Sequence, residues 1–250
     1  MNPPLPIAAG GGGPVIPNFG GTAHSYACEQ ANRLFCWGWF SHNWSGTLWP
    51  ALRQHVVLVL IAVALGFAIS MALALLAHRF RPVEQPVIAF TSFLYTIPSL
   101  ALFELLIPVP GLGLSRATAE VALVAYTLLI LFRNILTGLR NIPPDVLDAA
   151  RGMGMSRRQM LWRVELPLAL PAIIAGLRIA TVSTVALATI AALVDNEGLG
   201  VPIISGINDY YFKTELIAAG VLTVLLAVTA DGMLVGVQRL LTPWSRRRAA

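Results

Sequence analysis

Two ionisable side chains fall where an apolar setting makes charge expensive. At the 1.5 Å rise of a helix, Arg178 within the hydrophobic stretch 168–194 and Asp231 within 215–240 both lie roughly 13–15 Å from the same end. A charge at such depth needs a partner or a wet cavity. Equal depth on neighbouring antiparallel segments therefore predicts an Arg178–Asp231 ion pair; an arginine snorkelling alone to the interface is the alternative. A proton relay fits less well, because relays need further acids or histidines along the path and these stretches offer none in line. The chain has no cluster with metal-ligand spacing, no phosphate-cradling glycine loop and no Ser/His/Asp set that periodicity would bring together. No catalytic residue, metal ligand or bound cofactor is assigned. Cys28 and Cys36 are candidates for a disulfide if their segment lies outside the cytoplasm; two buried thiols are the other reading.

The segments that carry these residues read as membrane helices. The 250-residue chain is 56% hydrophobic and 12% charged, with a mean hydropathy of +0.72, whereas ordinary soluble domains carry about 25% charged residues. Five spans are expected, at about 56–77, 87–107, 117–136, 168–194 and 215–240. The first has no charge and would reach about 33 Å, enough to cross a hydrocarbon core of roughly 30 Å. The fold class is thus an all-α integral membrane protein. Its divisions are an amino-terminal arm (1–55), a membrane domain (56–242) with a polar loop at 137–167, and a basic tail (243–250).

The arm is rich in Gly and Pro over residues 1–23 and lacks a positive n-region, which argues against a cleaved signal peptide. Trp37, Trp39, Phe40, Trp44 and Trp49 then suit a membrane–water boundary. In the second span, Pro98 removes one intrahelical bond and predicts a kink, with Thr96 and Ser99 placed to satisfy the freed carbonyls. Glu104, near the end of that span, reads as interfacial. The net charge of +5 comes almost wholly from arginines that flank apolar segments instead of forming one stripe, so nucleic acid is a poor partner.

The one long polar interval has the grammar of helix, turn and helix. Pro143 and Pro144 suit a first turn, and Asp145 suits the positive end of a helix dipole. Ala149 and Ala150 would let another surface approach the backbone. Gly152 and Gly154 bracket the turn, and Ser156 with Gln159 reads as a capping box. Such an interval is a docking element.

On these residues the chain resembles the permease subunits of binding-protein-dependent ABC importers. Their cytoplasmic signature is Glu-Ala-Ala, three residues, Gly, nine residues, Ile, any residue, Leu-Pro. Here Asp148-Ala149-Ala150, Gly154, Val164, Leu166 and Pro167 keep that register, with Asp for Glu and Val for Ile. The segment Tyr95-Thr-Ile-Pro-Ser-Leu-Ala-Leu-Phe103 resembles the second core span of the osmoprotectant branch, which carries glycine betaine, choline, carnitine and related solutes. The resemblance implies a type I permease fold in a prokaryotic cell membrane, in contact with lipid. It implies a homo- or heterodimer of permease subunits, an ATP-binding subunit that holds ATP and Mg, and an extracytoplasmic solute-binding protein. Asp148, Ala149, Ala150, Arg151, Gly154, Met155, Arg157, Arg158, Leu166 and Pro167 would form the ATPase-docking surface. Met153, Met155, Met160, Leu161 and Trp162 would add adaptable apolar contact.

With that loop inside, five spans place the amino terminus outside and the carboxy terminus inside. Twelve of the seventeen Lys and Arg then fall inside and four outside, as the positive-inside rule asks. Tyr95, Thr96, Pro98, Ser99, Thr181 and Thr184 are the candidates for the translocation path. Arg178, Thr181, Val185, Ala188 and Ala192 share one face, which suits packing in its cytoplasmic half and path lining in its outer half. No aromatic cage for a quaternary ammonium is evident within the spans; Tyr210, Tyr211 and Phe212 cluster in a loop as interfacial anchors. Asp195, Asn196 and Glu197 depart from the family's small residues at the outer mouth, where they could attract a cationic solute or dock a binding protein. A methionine or other amino-acid permease is the nearest alternative. A passive channel and an intramembrane enzyme are more distant ones, lacking a filter motif and a nucleophile–base pair.

Overall fold

Long runs of Leu, Val, Ile and Ala can only pair their backbone groups internally when water is absent, and here they do so as helices, even past Pro171 within the Leu166–Asp195 helix. The computed structural model describes residues 28, 31–208 and 212–243, and within them it is all helical. In chain order the elements are α1 (Trp37–Asn43), a π-helical turn (Trp44–Leu48), α2 (Trp49–Arg79), α3 (Glu84–Thr96) and α4 (Ser99–Leu106). There follow α5 (Arg116–Arg140), α6 (Pro144–Gly152), α7 (Arg157–Met160), a second π-helical turn (Leu161–Glu165), α8 (Leu166–Asp195), α9 (Gly200–Asn208) and α10 (Lys213–Leu241). Four helical runs are long and apolar enough to cross a membrane, and five spans result if α3 and α4 together form one.

The second span departs from the expected kink. A residue before proline is driven out of the α region, and Ile97 is extended at φ −67°, ψ 127°, as is Pro98 at ψ 138°. The helix therefore breaks outright, and α3 and α4 meet at 98°. Thr96 donates to the Phe93 carbonyl at 2.7 Å. The Ile97 carbonyl is satisfied by neither Thr96 nor Ser99: the Tyr126 hydroxyl donates to it from α5.

The core forms where α5 and α8 run along one another and against α2. One apolar cluster gathers Leu58, Ala62, Phe103, Leu123, Val185 and Ala188; another gathers Ala77, Leu131, Phe132, Ile135, Leu139 and Ile173. Val185, Ala188 and Ala192, expected partly on a path, are 1%, 0% and 4% exposed and belong to this packing. Close approach is made by small residues: a Cβ on Gly66 would land on the Thr127 hydroxyl and one on Gly176 on Asn134. His55, wholly buried at the start of α2, accepts the Leu199 N–H on Nδ1 (3.2 Å), so its Nε2–H donates to the Val185 carbonyl (3.1 Å). One neutral ring thus joins three segments.

The boundary expected at residues 55 and 56 is not a break, since helix runs on from Trp37 to Arg79. The aromatic residues of that run stack on one another, with Trp37–Phe40 and Phe40–Trp44 centroids each 5.4 Å apart. Cys28 and Cys36 are joined in a disulfide, Cα–Cα 5.6 Å. Phe212 is buried edge-on to Trp39 and is no interfacial anchor. Tyr210, Tyr211, residues 1–23 and the Arg246–Arg248 tail lie outside the described residues.

Arg178 on α8 meets Asp231 on α10 in a two-pronged contact, Nε–Oδ1 2.7 Å and Nη2–Oδ2 2.9 Å. Parallel N–H donors matched to both carboxylate oxygens fix direction as well as distance. Reversing either charge alone (Arg178→Asp or Asp231→Arg) is expected to lower the yield of folded protein several-fold, and the double exchange to restore it. Gel filtration of the detergent-solubilised chain reads this, and a double exchange no better than the single ones removes the pair as a structural tie. Gly66→Val should cost about 1–3 kcal/mol through overpacking. Gly220→Ala, mid-helix with open space around its Cβ, should instead raise the unfolding temperature in micelles, by the ~0.5–1 kcal/mol that Gly costs relative to Ala in a helix.

Candidate functional site

The polar interval folds into an elbow whose geometry follows from a few residues. Pro144 occupies the first turn of α6, and Pro143 caps it in an extended conformation. At the other end the Met155 N–H reaches the Ala150 carbonyl (3.2 Å) and the Gly154 N–H reaches that of Arg151 (2.9 Å). That pair of bonds is a Schellman ending, which requires a left-handed residue, and Gly154 supplies it at φ +76°. Gly152 stays within the helix, so one glycine makes the turn where two were expected. Ser156 Oγ accepts the Gln159 N–H (3.4 Å) while Gln159 Oε1 accepts the Ser156 N–H (2.8 Å), completing the capping box that opens α7. Pro167 cannot donate a hydrogen bond, and the backbone widens into the Leu161–Glu165 π-helical turn just before it.

The surface this elbow presents is mixed. Asp148, Ala149, Arg151, Gly154, Arg157 and Arg158 are exposed; Met155, Leu166 and Pro167 are half-buried. Ala150 is 1% exposed and packs on its own chain instead of offering its backbone outward. Met160 is likewise buried, leaving Met153 and Trp162, both more than 60% exposed, as the apolar prongs. Asp148 and Arg151 pair at 2.7 Å in open solvent, where such a contact orients more than it stabilises.

Two side-chain contacts fix the elbow's roots. At its return, Glu165 Oε2 meets His78 Nε2 at 2.8 Å, at the end of α2. At its start, Arg140 bonds Glu84 at the head of α3. These four residues were not singled out from sequence; the signal for them was weak, since each looks like an ordinary flanking charge.

A second feature lies at the break between α3 and α4. Tyr95, Thr96, Pro98, Ser99 and Thr184 line one cavity of about 290 Å³ together with Tyr126 and Ser183. Thr181 is not among them; it faces a separate apolar space of about 490 Å³ between α2, α8 and α10. The hydroxyls of Thr127, Thr181 and Thr184 are bonded to carbonyls in their own helices at 2.7–2.8 Å. Tyr126 escaped the sequence reading, although a buried tyrosine hydroxyl in an apolar span signals a partner.

At the opposite end from the elbow, Asn196 ends α8 in a left-handed conformation. The Asp195 carboxylate accepts the Glu197 N–H at 3.1 Å, and Glu197 lies 3.5 Å from Arg116. Part of the negative charge expected at this mouth is therefore balanced within the chain.

Residues 55–244 match the family described as binding-protein-dependent transport system inner membrane component. The chain is 39% identical over 202 residues to the osmoprotectant import permease protein OsmW of Salmonella typhimurium, covering 80% of this chain and 94% of that protein. It is 35% identical over 204 residues to the choline transport system permease protein OpuBB of Bacillus subtilis, covering 81% and 92%. Among solved structures it resembles the MetNI methionine ABC transporter in an inward-facing conformation, with a TM-score of 0.66 at 22% identity over 76% of this chain and 93% of that one. An amino acid ABC transporter with histidines also scores 0.66, at 17% identity over 80% and 96%. The chain thus has relatives in fold as well as in sequence, and it belongs to the binding-protein-dependent ABC importer family as an inner-membrane permease component.

Proposed function

We propose that this chain is the permease of an ATP-driven importer for osmoprotectants, namely glycine betaine, choline, carnitine or a similar quaternary ammonium solute. The observation that carries the substrate class is near-full-length similarity to permeases named for such solutes, including a glycine betaine/carnitine/choline permease of Bacillus subtilis at 35% identity. The amino-acid transporters share only the fold at 17–23% identity and lend no substrate to this chain.

In this reading the elbow sits in a cleft of an ATP-binding subunit, which holds ATP and Mg, on the cytoplasmic side. A second permease subunit completes the pathway, lipid covers the remaining apolar faces, and an extracytoplasmic binding protein delivers the solute. The exposed prongs Met153 and Trp162 supply apolar grip, and Asp148, Arg151, Arg157 and Arg158 set its orientation. Closure of two ATP-binding subunits would press on the elbows. The His78–Glu165 and Glu84–Arg140 contacts support transmission, because they tie the elbow's roots to α2 and to the head of the broken span. Rigid helices then tilt about the break at Pro98 and alternate the exposure of the cavity beside it.

Proline cannot adopt the positive φ of Gly154, so Gly154→Pro is expected to destroy the turn. Asp148→Lys should reverse the local charge while leaving the fold intact. In proteoliposomes holding the whole importer, both variants should insert normally yet lose solute-stimulated ATP hydrolysis by about tenfold or more, which corresponds to about 1.4 kcal/mol. Undiminished stimulation in either variant would count against docking through this elbow.

A further inference from the structure

The cavity at the broken span has a lining whose chemistry points to a particular kind of occupant. Tyr95 on α3 and Tyr126 on α5 are far apart in sequence, yet their rings meet edge to face with centroids 5.9 Å apart. Tyr126 is 6% exposed and held in place by its hydroxyl's bond to Ile97, whereas Tyr95 is 45% exposed. Between them and the hydroxyls of Ser99 and Ser183 lies the space of about 290 Å³, close to the lower end of small-molecule sites, about 300 Å³. None of the residues lining it is acidic or basic.

We propose that the Tyr95–Tyr126 pair forms a transit site for a quaternary ammonium group inside the permease. The assignment rests on the osmoprotectant reading and deepens it. A primary ammonium brings three N–H donors and, with no carboxylate here, could offer them only to hydroxyl oxygens such as those of Ser99 and Ser183, a poor exchange for its hydration. A quaternary ammonium has no donor to satisfy and is attracted by the negative faces of aromatic rings. Uncharged tyrosines thus favour the methylated cation over its unmethylated relatives without holding it by an ion pair. Such a hold is weak, as a site that must release its cargo requires. Neither tyrosine was seen as part of an aromatic cage in the sequence, because the break at Ile97 and Pro98 is what brings Tyr126 beside Tyr95.

Thiol labelling tests the site directly. In the complete importer, a Ser183→Cys substitution places a reactive thiol on the cavity wall, while Cys28 and Cys36 are bonded to each other. Tetramethylammonium chloride should slow its labelling by a small maleimide, and methylammonium chloride at equal ionic strength should not. The concentration giving half-maximal protection should rise about three- to thirtyfold in Tyr95→Leu, the range expected for losing one cation–π contact, and stay near the starting value in Tyr95→Phe. Labelling indifferent to tetramethylammonium, or slowed equally by methylammonium, overturns the site, and this comparison needs no tyrosine variant to fold. Uptake of labelled choline and glycine betaine by the unsubstituted importer is measured in parallel. Uptake without selective protection sinks the transit site alone; absence of uptake of either solute sinks the substrate reading instead.

Discussion

Inside an apolar helix bundle no water is at hand, so every polar backbone group must find its partner within the chain. The architecture is largely a set of answers to that demand. Threonines in the spans turn their hydroxyls onto carbonyls one turn back, as Thr91 does on Val87 (2.8 Å) and Thr184 on Ala180 (2.7 Å). Where Pro98 takes away a donor, the chain does not bend around the loss; it stops, turns through 98° and begins again. The price is an unpaired carbonyl at Ile97, which Tyr126 reaches across from the neighbouring helix to meet. That one hydrogen bond fixes both the shape of the break and the position of an aromatic ring beside it. His55 solves the same problem at the other end, serving the Val185 carbonyl and the Leu199 amide with one imidazole.

A break of this kind needs rigid surroundings if it is to act as a hinge. α5 and α8 provide them, packed along their length with small residues such as Gly138 and Gly176 at points where a side chain would collide. The elbow between those two helices is tied back at both roots, to the end of α2 by Glu165 and to the head of α3 by Arg140. These contacts set the elbow's roots against the helices on either side of the Arg81–Val83 turn, and α3 ends at the break.

Spans, elbow and intramembrane ion pair were legible in the sequence because each depends on a local or periodic signal. Hydrophobic length gives a span; Gly154 and the Ser156–Gln159 spacing give a turn and a cap; equal depth gives the Arg178–Asp231 partnership. What escaped was whatever depends on two segments meeting in space. A proline in an apolar run says that a helix is disturbed, but whether it kinks or breaks depends on what other segments bring to it. Tyr126 serves the Ile97 carbonyl at the break from α5, and nothing near Pro98 announces it. The division of the candidate path residues has the same origin. Thr181 and Thr184 are three apart on one helix, and only the placement of α3 and α10 on either side of α8 sends them to different cavities.

The distribution of charge bears on what drives transport. Arg178 and Asp231 meet through both carboxylate oxygens, so each already has its partner and neither lines the cavity at the break. The residues that do line it are tyrosines, serines, threonines and alkyl groups, with no carboxylate, ammonium, guanidinium or imidazole among them. Passing a proton along a path requires groups that can take it up and release it, and this lining offers none. In the reading proposed above, work reaches the cavity mechanically through the elbow, which is polar, exposed and tied to α2 and α3 at its roots. On that proposal a weakly attractive cavity and an external lever belong together, since a site that grips its cargo tightly would need far more work at each turnover to empty.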